Sequence, residues 1–232
     1  MMNKQKGNMY SWVDYTWNPI KGACPHKCIY CYMSRFPTGE LRFDRKCMKD
    51  NLGENNTIFV GSSIDMFAEK VPSIWIEEVL RYCKFHFPNN TYLFQSKNPN
   101  RFKEFISQFP NKTILGTTLE TNRTIASISK APLPSERAYA MAELRKYHID
   151  MMVSIEPILD FDLEVFINYL KDIKPIFVSV GADSKNSNLP EPNSEKLEEL
   201  IKELKKFTEV KIKTNLFRLY KKGERKSLNF FL

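Results

Sequence analysis

Six short runs of β-branched, aromatic and other apolar residues punctuate this chain, and most are followed by a segment with helical apolar spacing. The runs are Thr57-Ile-Phe-Val-Gly61, Tyr92-Leu-Phe-Gln95, Thr113-Ile-Leu-Gly-Thr117, Met151-Met-Val-Ser-Ile155, Pro175-Ile-Phe-Val-Ser-Val180 and Val210-Lys-Ile-Lys213. Most are near-continuous in apolar character, as strands of a parallel sheet covered on both faces must be. A further strand is expected around Tyr10–Trp17. The segments between them read as amphipathic helices. Ile76, Val79, Leu80 and Cys83 follow Ser73, and Phe102, Phe105, Ile106 and Phe109 follow the Asn98-Pro99 cap. Ala138, Met141, Ala142 and Leu144 follow Ser135, and Leu163, Phe166, Ile167 and Leu170 follow Asp162. Leu197, Leu200, Ile201 and Leu204 after Ser194 make the clearest helical stripe. Strands alternating with helices predict an α/β fold with a parallel sheet. Pro190-Glu-Pro-Asn193 reads as a loop, so one domain is expected over the 232 residues.

The loop after the first expected strand, Gly22-Ala-Cys-Pro-His-Lys-Cys-Ile-Tyr-Cys-Tyr32, holds Cys24, Cys28 and Cys31. Three thiolates in a C-x3-C-x2-C spacing can hold an inorganic centre. Electron-carrying iron–sulfur proteins take four cysteines per cluster. Three on a four-iron cube leave one iron open for chemistry. Zinc held by the three cysteines and His26 is the alternative, since structural zinc takes four closed ligands. His26 is close to Cys24 and Cys28 for joining one tetrahedron, and there is no second C-x2-C pair. Five cysteines and no secretory signal argue against a disulfide framework. Cys83 is expected in the core, and Cys47 is a candidate for an auxiliary role.

Composition narrows the setting. With 42% hydrophobic and 27% charged residues, a soluble domain with a sizeable core is expected. No apolar run approaches the length of a membrane span. Free thiols point to a reducing cytoplasm. The net charge is +8, and Lys211, Lys213, Arg218, Lys221, Lys222, Arg225 and Lys226 stand against one Glu near the C-terminus. Such a run suits an anionic partner, with nucleic acid or a nucleotide foremost. A solvated basic edge is the plainer reading.

Cys-x3-Cys-x2-Cys with Tyr30 before the third cysteine resembles the signature of the radical S-adenosylmethionine superfamily. Thr16-Trp-Asn-Pro-Ile20, Gly61-Ser-Ser-Ile-Asp-Met-Phe67 and Ser154-Ile-Glu-Pro-Ile158 resemble a phage-associated branch of it. Spore photoproduct lyase-type sequences, with the same spacing followed by Tyr, are more distantly similar. The resemblance covers roughly Tyr10 to Asn215. It implies a partial (β/α)6 TIM-like barrel of parallel strands, with Val210–Lys213 as an additional C-terminal strand, and a basic segment over 216–232. It also implies a [4Fe–4S] cluster on Cys24, Cys28 and Cys31 and S-adenosylmethionine on its open iron. Reductive cleavage would give a 5′-deoxyadenosyl radical that abstracts hydrogen from a substrate. A ferredoxin- or flavodoxin-type donor would supply the electron.

In such barrels the strand ends build the catalytic mouth. By resemblance, Tyr30 and Tyr32 flank the cofactor, and Gly61, Ser62, Ser63 and Asp65 stand where a small-residue segment meets its amino group. That segment departs from the usual Gly-Gly-Glu form. Thr118 and Glu120 stand at the ribose position. Lys97 would place a cation in the mouth, suited to a carboxylate or phosphate. Glu156, inside an apolar run, is unfavourable by several kcal/mol unless paired or facing a wet cavity. It is therefore the foremost catalytic candidate outside the cysteines, with an ion pair to Lys97 or Lys213 as its structural alternative. Gly181-Ala-Asp183 and Lys213-Thr-Asn215 could face a substrate. Competing readings are a peptide or small metabolite as substrate, and a zinc-stabilised nucleic-acid-binding module without catalysis.

Overall fold

A computed structural model describes residues 2–5, 9–124, 127–185 and 187–220. The strands in chain order are β1 (Asn3–Lys4), β2 (Tyr15–Trp17), β3 (Ile20–Lys21), β4 (Arg42–Phe43), β5 (Thr57–Val60), β6 (Thr91–Gln95), β7 (Thr113–Thr118), β8 (Asp150–Ile155), β9 (Phe177–Val180) and β10 (Glu209–Ile212). The helices are α1 (Ser73–His86), α2 (Pro134–Leu144), α3 (Leu163–Ile173) and α4 (Ser194–Leu204). Strands β2, β5, β6, β7, β8, β9 and β10 lie side by side in that order, each parallel to the next. The six runs and the N-terminal strand thus form one seven-stranded parallel array. β1 adds antiparallel to β2. β1 and β10 are the sheet's two edges, so it is an open α/β sheet and not a closed barrel.

Alternation along each strand sorts residues to two faces. Ile58 and Val60, Tyr92 and Phe94, Val153 and Ile155, and Val178 and Val180 join the main core beneath the helices. Phe59, Leu93, Met152 and Phe177 point the other way, onto Tyr10 and Val13. Of the expected strand Tyr10–Trp17, only Tyr15–Trp17 is therefore extended. Before that the chain plugs the far face of the sheet, with Tyr10 stacked on Trp12 at 5.3 Å.

The helices bury the expected stripes: Ile76, Val79, Leu80 and Cys83 on α1, and Leu197, Leu200, Ile201 and Leu204 on α4. Each fully buried side chain of this kind contributes roughly 1.5–3 kcal/mol. Residues Pro99–Gln108 form 3-10 turns instead of the expected α-helix. Pro99, Phe102 and Phe105 are buried three apart, the repeat of a three-residue turn. Asp162 sits at the start of α3 as expected, but its carboxylate accepts from Asn122 and Arg123 and not from the helix. Among the described residues no helix is long and apolar enough to cross a membrane.

Candidate active site

The C-terminal ends of β5 to β10 and the cysteine loop after β2 line one cavity of about 410 Å³. Cys24, Cys28 and Cys31 all reach it, as do Tyr30, Tyr32, Gly61, Ser62, Ser63, Asp65, Thr118 and Glu156. Glu120 does not line it.

The cysteine loop leaves through β3 and returns through β4, which pair antiparallel. Its base depends on Gly22, whose φ of +121° belongs to glycine. A Cβ there would overlap the carbonyl oxygen of Glu40 and lie 2.6 Å from the Leu41 Cα. Gly22→Ala is expected to lower stability by about 1–3 kcal/mol, read as a lower urea midpoint with unchanged m. Further out, Cys31 N–H donates to Cys28 O at 3.1 Å. Ile29 N–H donates to Ile128 O at 3.0 Å, and Lys130 N–H donates to His26 O at 2.6 Å. The Cys28 thiol and the Ser129 hydroxyl approach as Sγ and Oγ at 3.2 Å. Burial, aided by the Asp65 carboxylate, pushes the Cys24 thiol up to about 11.

Asp65 anchors this loop. Its carboxylate accepts from His26 Nε2 at 2.8 Å, Lys97 N–H at 2.7 Å, Ser96 Oγ at 3.0 Å and Phe67 N–H at 3.0 Å. Burial opposes its charge, but His26 and the donated hydrogen bonds outweigh that and hold the carboxyl below its usual value. Asp65 therefore lines the cavity with its oxygens already engaged within the protein. Asn18 holds the neighbouring turn, accepting from Ser63 N–H at 2.9 Å, and Tyr32 Oη donates to Ser62 O at 2.6 Å.

Glu120 is 1% exposed and lies behind the wall. It accepts from Tyr30 Oη and from Arg137 Nη1 (2.8 Å), with Lys97 Nζ at 3.6 Å. Burial opposes its ionisation, yet Arg137 and Lys97 keep the carboxyl below its ordinary value. The expectation that Glu120 faces the cavity gives way to this arrangement: two cations and a phenol hold the carboxylate in the core, where it orients Tyr30. Lys97 does line the cavity, with Nζ 5.4 Å from the centre of the Tyr30 ring.

At the far wall, Lys213 Nζ lies 2.8 Å from Glu156 Oε2, one of the two partners the sequence suggested. Gly181 makes room for this pair, since a Cβ there would lie 3.0 Å from the Glu156 carboxyl. Tyr10 Oη donates to Gln95 Oε1 at 2.9 Å, and Gln95 Nε2 donates to Thr118 Oγ1 at 3.0 Å. Of the C-terminal basic run, Lys213, Lys211 and Arg218 are paired with Glu156, Glu209 and Glu191. Lys221, Lys222, Arg225 and Lys226 lie outside the described residues.

The donor set fits a multi-iron cluster. Such a cluster takes one thiolate per iron and needs only that the thiols ring a shared volume. Cys24, Cys28 and Cys31 all open onto the one cavity.

Residues 8–184 match the family described as "Protein of unknown function (DUF5131)". The chain belongs to this family. The DUF5131 match spans the cysteine loop and the strand ends as far as β9, so nearly all the cavity lies inside it. A search of curated proteins gave no sequence match. Among solved structures, spore photoproduct lyase with bound AdoMet and dinucleoside spore photoproduct superposes with a TM-score of 0.64 at 10% identity, over 90% of this chain and 78% of that one. SuiB of Streptococcus suis bound to S-adenosylmethionine gives a TM-score of 0.62 at 11% identity, over 88% of this chain and 51% of that one. SuiB is also solved with its precursor peptide SuiA. At these identities the likeness is one of fold. The DUF5131 chain spans about half the length of SuiB.

Three contributors to this site escaped the sequence reading: Tyr10, Arg137 and Lys185. Tyr10 fell in the expected strand Tyr10–Trp17, and nothing in the sequence singled out Arg137 or Lys185. Only the three-dimensional pairing gives them a place.

Proposed function

We propose that this protein is a radical S-adenosylmethionine enzyme. The observation that carries the reading is that a C-x3-C-x2-C loop opens its three cysteines onto a cavity built from the C-terminal ends of a parallel sheet. Two structures of the same fold, solved with AdoMet or S-adenosylmethionine bound, lend support.

Cys24, Cys28 and Cys31 would hold a [4Fe–4S] cluster. When bound, that cluster would supply one electron to the sulfonium of S-adenosylmethionine, giving a 5′-deoxyadenosyl radical that takes hydrogen from the substrate. Tyr30, fixed by Glu120, gives the cavity an oriented aromatic wall for the adenine. The Gly61–Ser63 turn, held by Asn18 and Tyr32, offers backbone groups beside the cysteines. Lys97 provides a cation for the cofactor's carboxylate. Thr118 offers a hydroxyl to the ribose. Glu156 and Lys213, with Ser154, form the polar wall where a substrate would be oriented. A ferredoxin- or flavodoxin-type donor would supply the electron. Net charge favours a nucleic acid or nucleoside as substrate. The SuiA peptide in a structural neighbour motivates the second reading, a peptide.

Anaerobic reconstitution is expected to give a brown protein with about four irons per chain. Dithionite plus S-adenosylmethionine should then release 5′-deoxyadenosine. Glu156→Gln should retain the iron but lower substrate-dependent release by about ten- to a hundredfold, the worth of one charged hydrogen bond. A colourless protein holding one zinc would defeat the reading. Steep salt dependence of oligonucleotide binding would separate the nucleic-acid substrate from the peptide.

A further inference from the structure

We propose that Lys185 is a positioning residue that straps the cysteine loop to the opposite cavity wall and sets the charge beside that loop. The charge-setting part rests on the cluster reading above.

Lys185 follows β9, on the far side of the cavity in sequence from the cysteines. Its half-buried ammonium crosses to the cysteine loop. It donates to Cys31 O at 3.2 Å, Ile29 O at 3.3 Å and Ser34 Oγ at 2.5 Å. All three acceptors lie within six residues that include one proposed ligand.

The loop that delivers this lysine is itself fixed. Asp183 accepts from the backbone N–H groups of Lys185 and Ser187, closing a turn. Arg218 donates to Asp183 O at 3.0 Å and pairs with Glu191, whose Oε1 accepts from Asp183 N–H. Ala182, Asp183 and Ser184 line the cavity. Lys185 therefore connects a wall that an occupant would touch to the loop that would hold the metal.

Its charge is placed differently from those of the two lysines that line the cavity. Lys97 lies 3.6 Å from Glu120, and Lys213 lies 2.8 Å from Glu156. Among the described residues, Lys185 has only neutral acceptors. An unneutralised cation beside a centre that gains an electron stabilises the reduced state and raises its potential, since local charge and hydrogen bonding tune such centres.

Two measurements on the full chain test this. In cluster-free protein, Lys185→Gln should speed amide exchange at Cys31, Ser34 and Phe36 several-fold, and Lys185→Arg should not. In reconstituted protein, Lys185→Gln should lower the midpoint potential, seen as a several-fold smaller reduced fraction at a fixed solution potential. Lys185→Arg, which keeps the charge, should titrate close to wild type. Unchanged exchange and potential in Lys185→Gln overturn the assignment. Faster exchange with an unmoved potential also overturns it, because a mechanical tether alone does not set charge. If wild-type protein takes up no iron, the proposed function falls, and the exchange measurement alone decides the strap.

Discussion

Replacing Cys28 with alanine is expected to abolish 5′-deoxyadenosine release and strip most of the iron from reconstituted protein, with the fold intact. Cys28 is only partly buried, and its thiol's contact is Ser129 Oγ at 3.2 Å. Removing so small a group from a half-exposed loop costs about 1 kcal/mol at most, or about 2–4 °C in Tm for a chain of this size. Losing one of three protein ligands to a cluster has a far larger effect, since metal affinity is carried by the ligand set. Cys83→Ala should behave in the opposite way. Cys83 is fully buried on α1, so its loss leaves a core cavity and lowers stability, while iron and cleavage persist. Iron content, 5′-deoxyadenosine yield and thermal unfolding of both variants check the contrast. Full iron and normal cleavage in Cys28→Ala would remove the basis of the proposed function.

The repeating architecture was readable because each strand is a local pattern. Ile58-Phe-Val60 and Phe177-Val178 are apolar on both faces, and only a sheet covered on both sides tolerates that. The α4 stripe was equally plain, because a 3.6-residue repeat needs no knowledge of its partner. Residues 99–108 misled for a physical reason: aromatic side chains three and four apart suit an α-helix and a three-residue turn alike. Tyr10 misled because a strand-like composition also suits a segment lying across a sheet.

The site was legible in kind and less so in wiring. The cysteine spacing and the strand ends pointed to one mouth, and the cavity gathers them. A carboxylate's direction, however, depends on its partner. Glu120 turns inward to Arg137, 17 positions away on α2, and Asp65 turns to His26, 39 positions back. Nothing local to Leu119-Glu-Thr121 or Ile64-Asp-Met66 reveals those partners. Glu156 was different: a charge in an apolar run near only a few lysines left few partners, and Lys213 is one of them.

The Asp65 hub gives the largest expected effect on the fold. Asp65→Ala would leave four donors facing a hole: His26 Nε2, the Lys97 and Phe67 amides and Ser96 Oγ. Stranding four buried donors costs about 3–5 kcal/mol, which is about 10 °C in Tm for a domain of this length. The damage should spread to the cysteine loop, because His26 is the side chain by which that loop grips the sheet. Iron uptake should therefore fall although no thiol is touched. Acid titration gives an independent reading. The folded-state pKa of Asp65 lies below its ordinary 3.8 and that of Glu120 below 4.5. For a depressed carboxyl, the stability contribution is complete above the ordinary value and is lost as pH falls through the folded one. Wild-type stability should thus hold down to about pH 4.5 as far as these two groups are concerned, and decline below it. Asp65→Ala lacks one of the acid-sensitive carboxyls, so its unfolding free energy should fall less steeply with acidification. Urea unfolding at a series of pH values measures both slopes, and parallel slopes would show that Asp65 carries no charge-dependent grip on the loop.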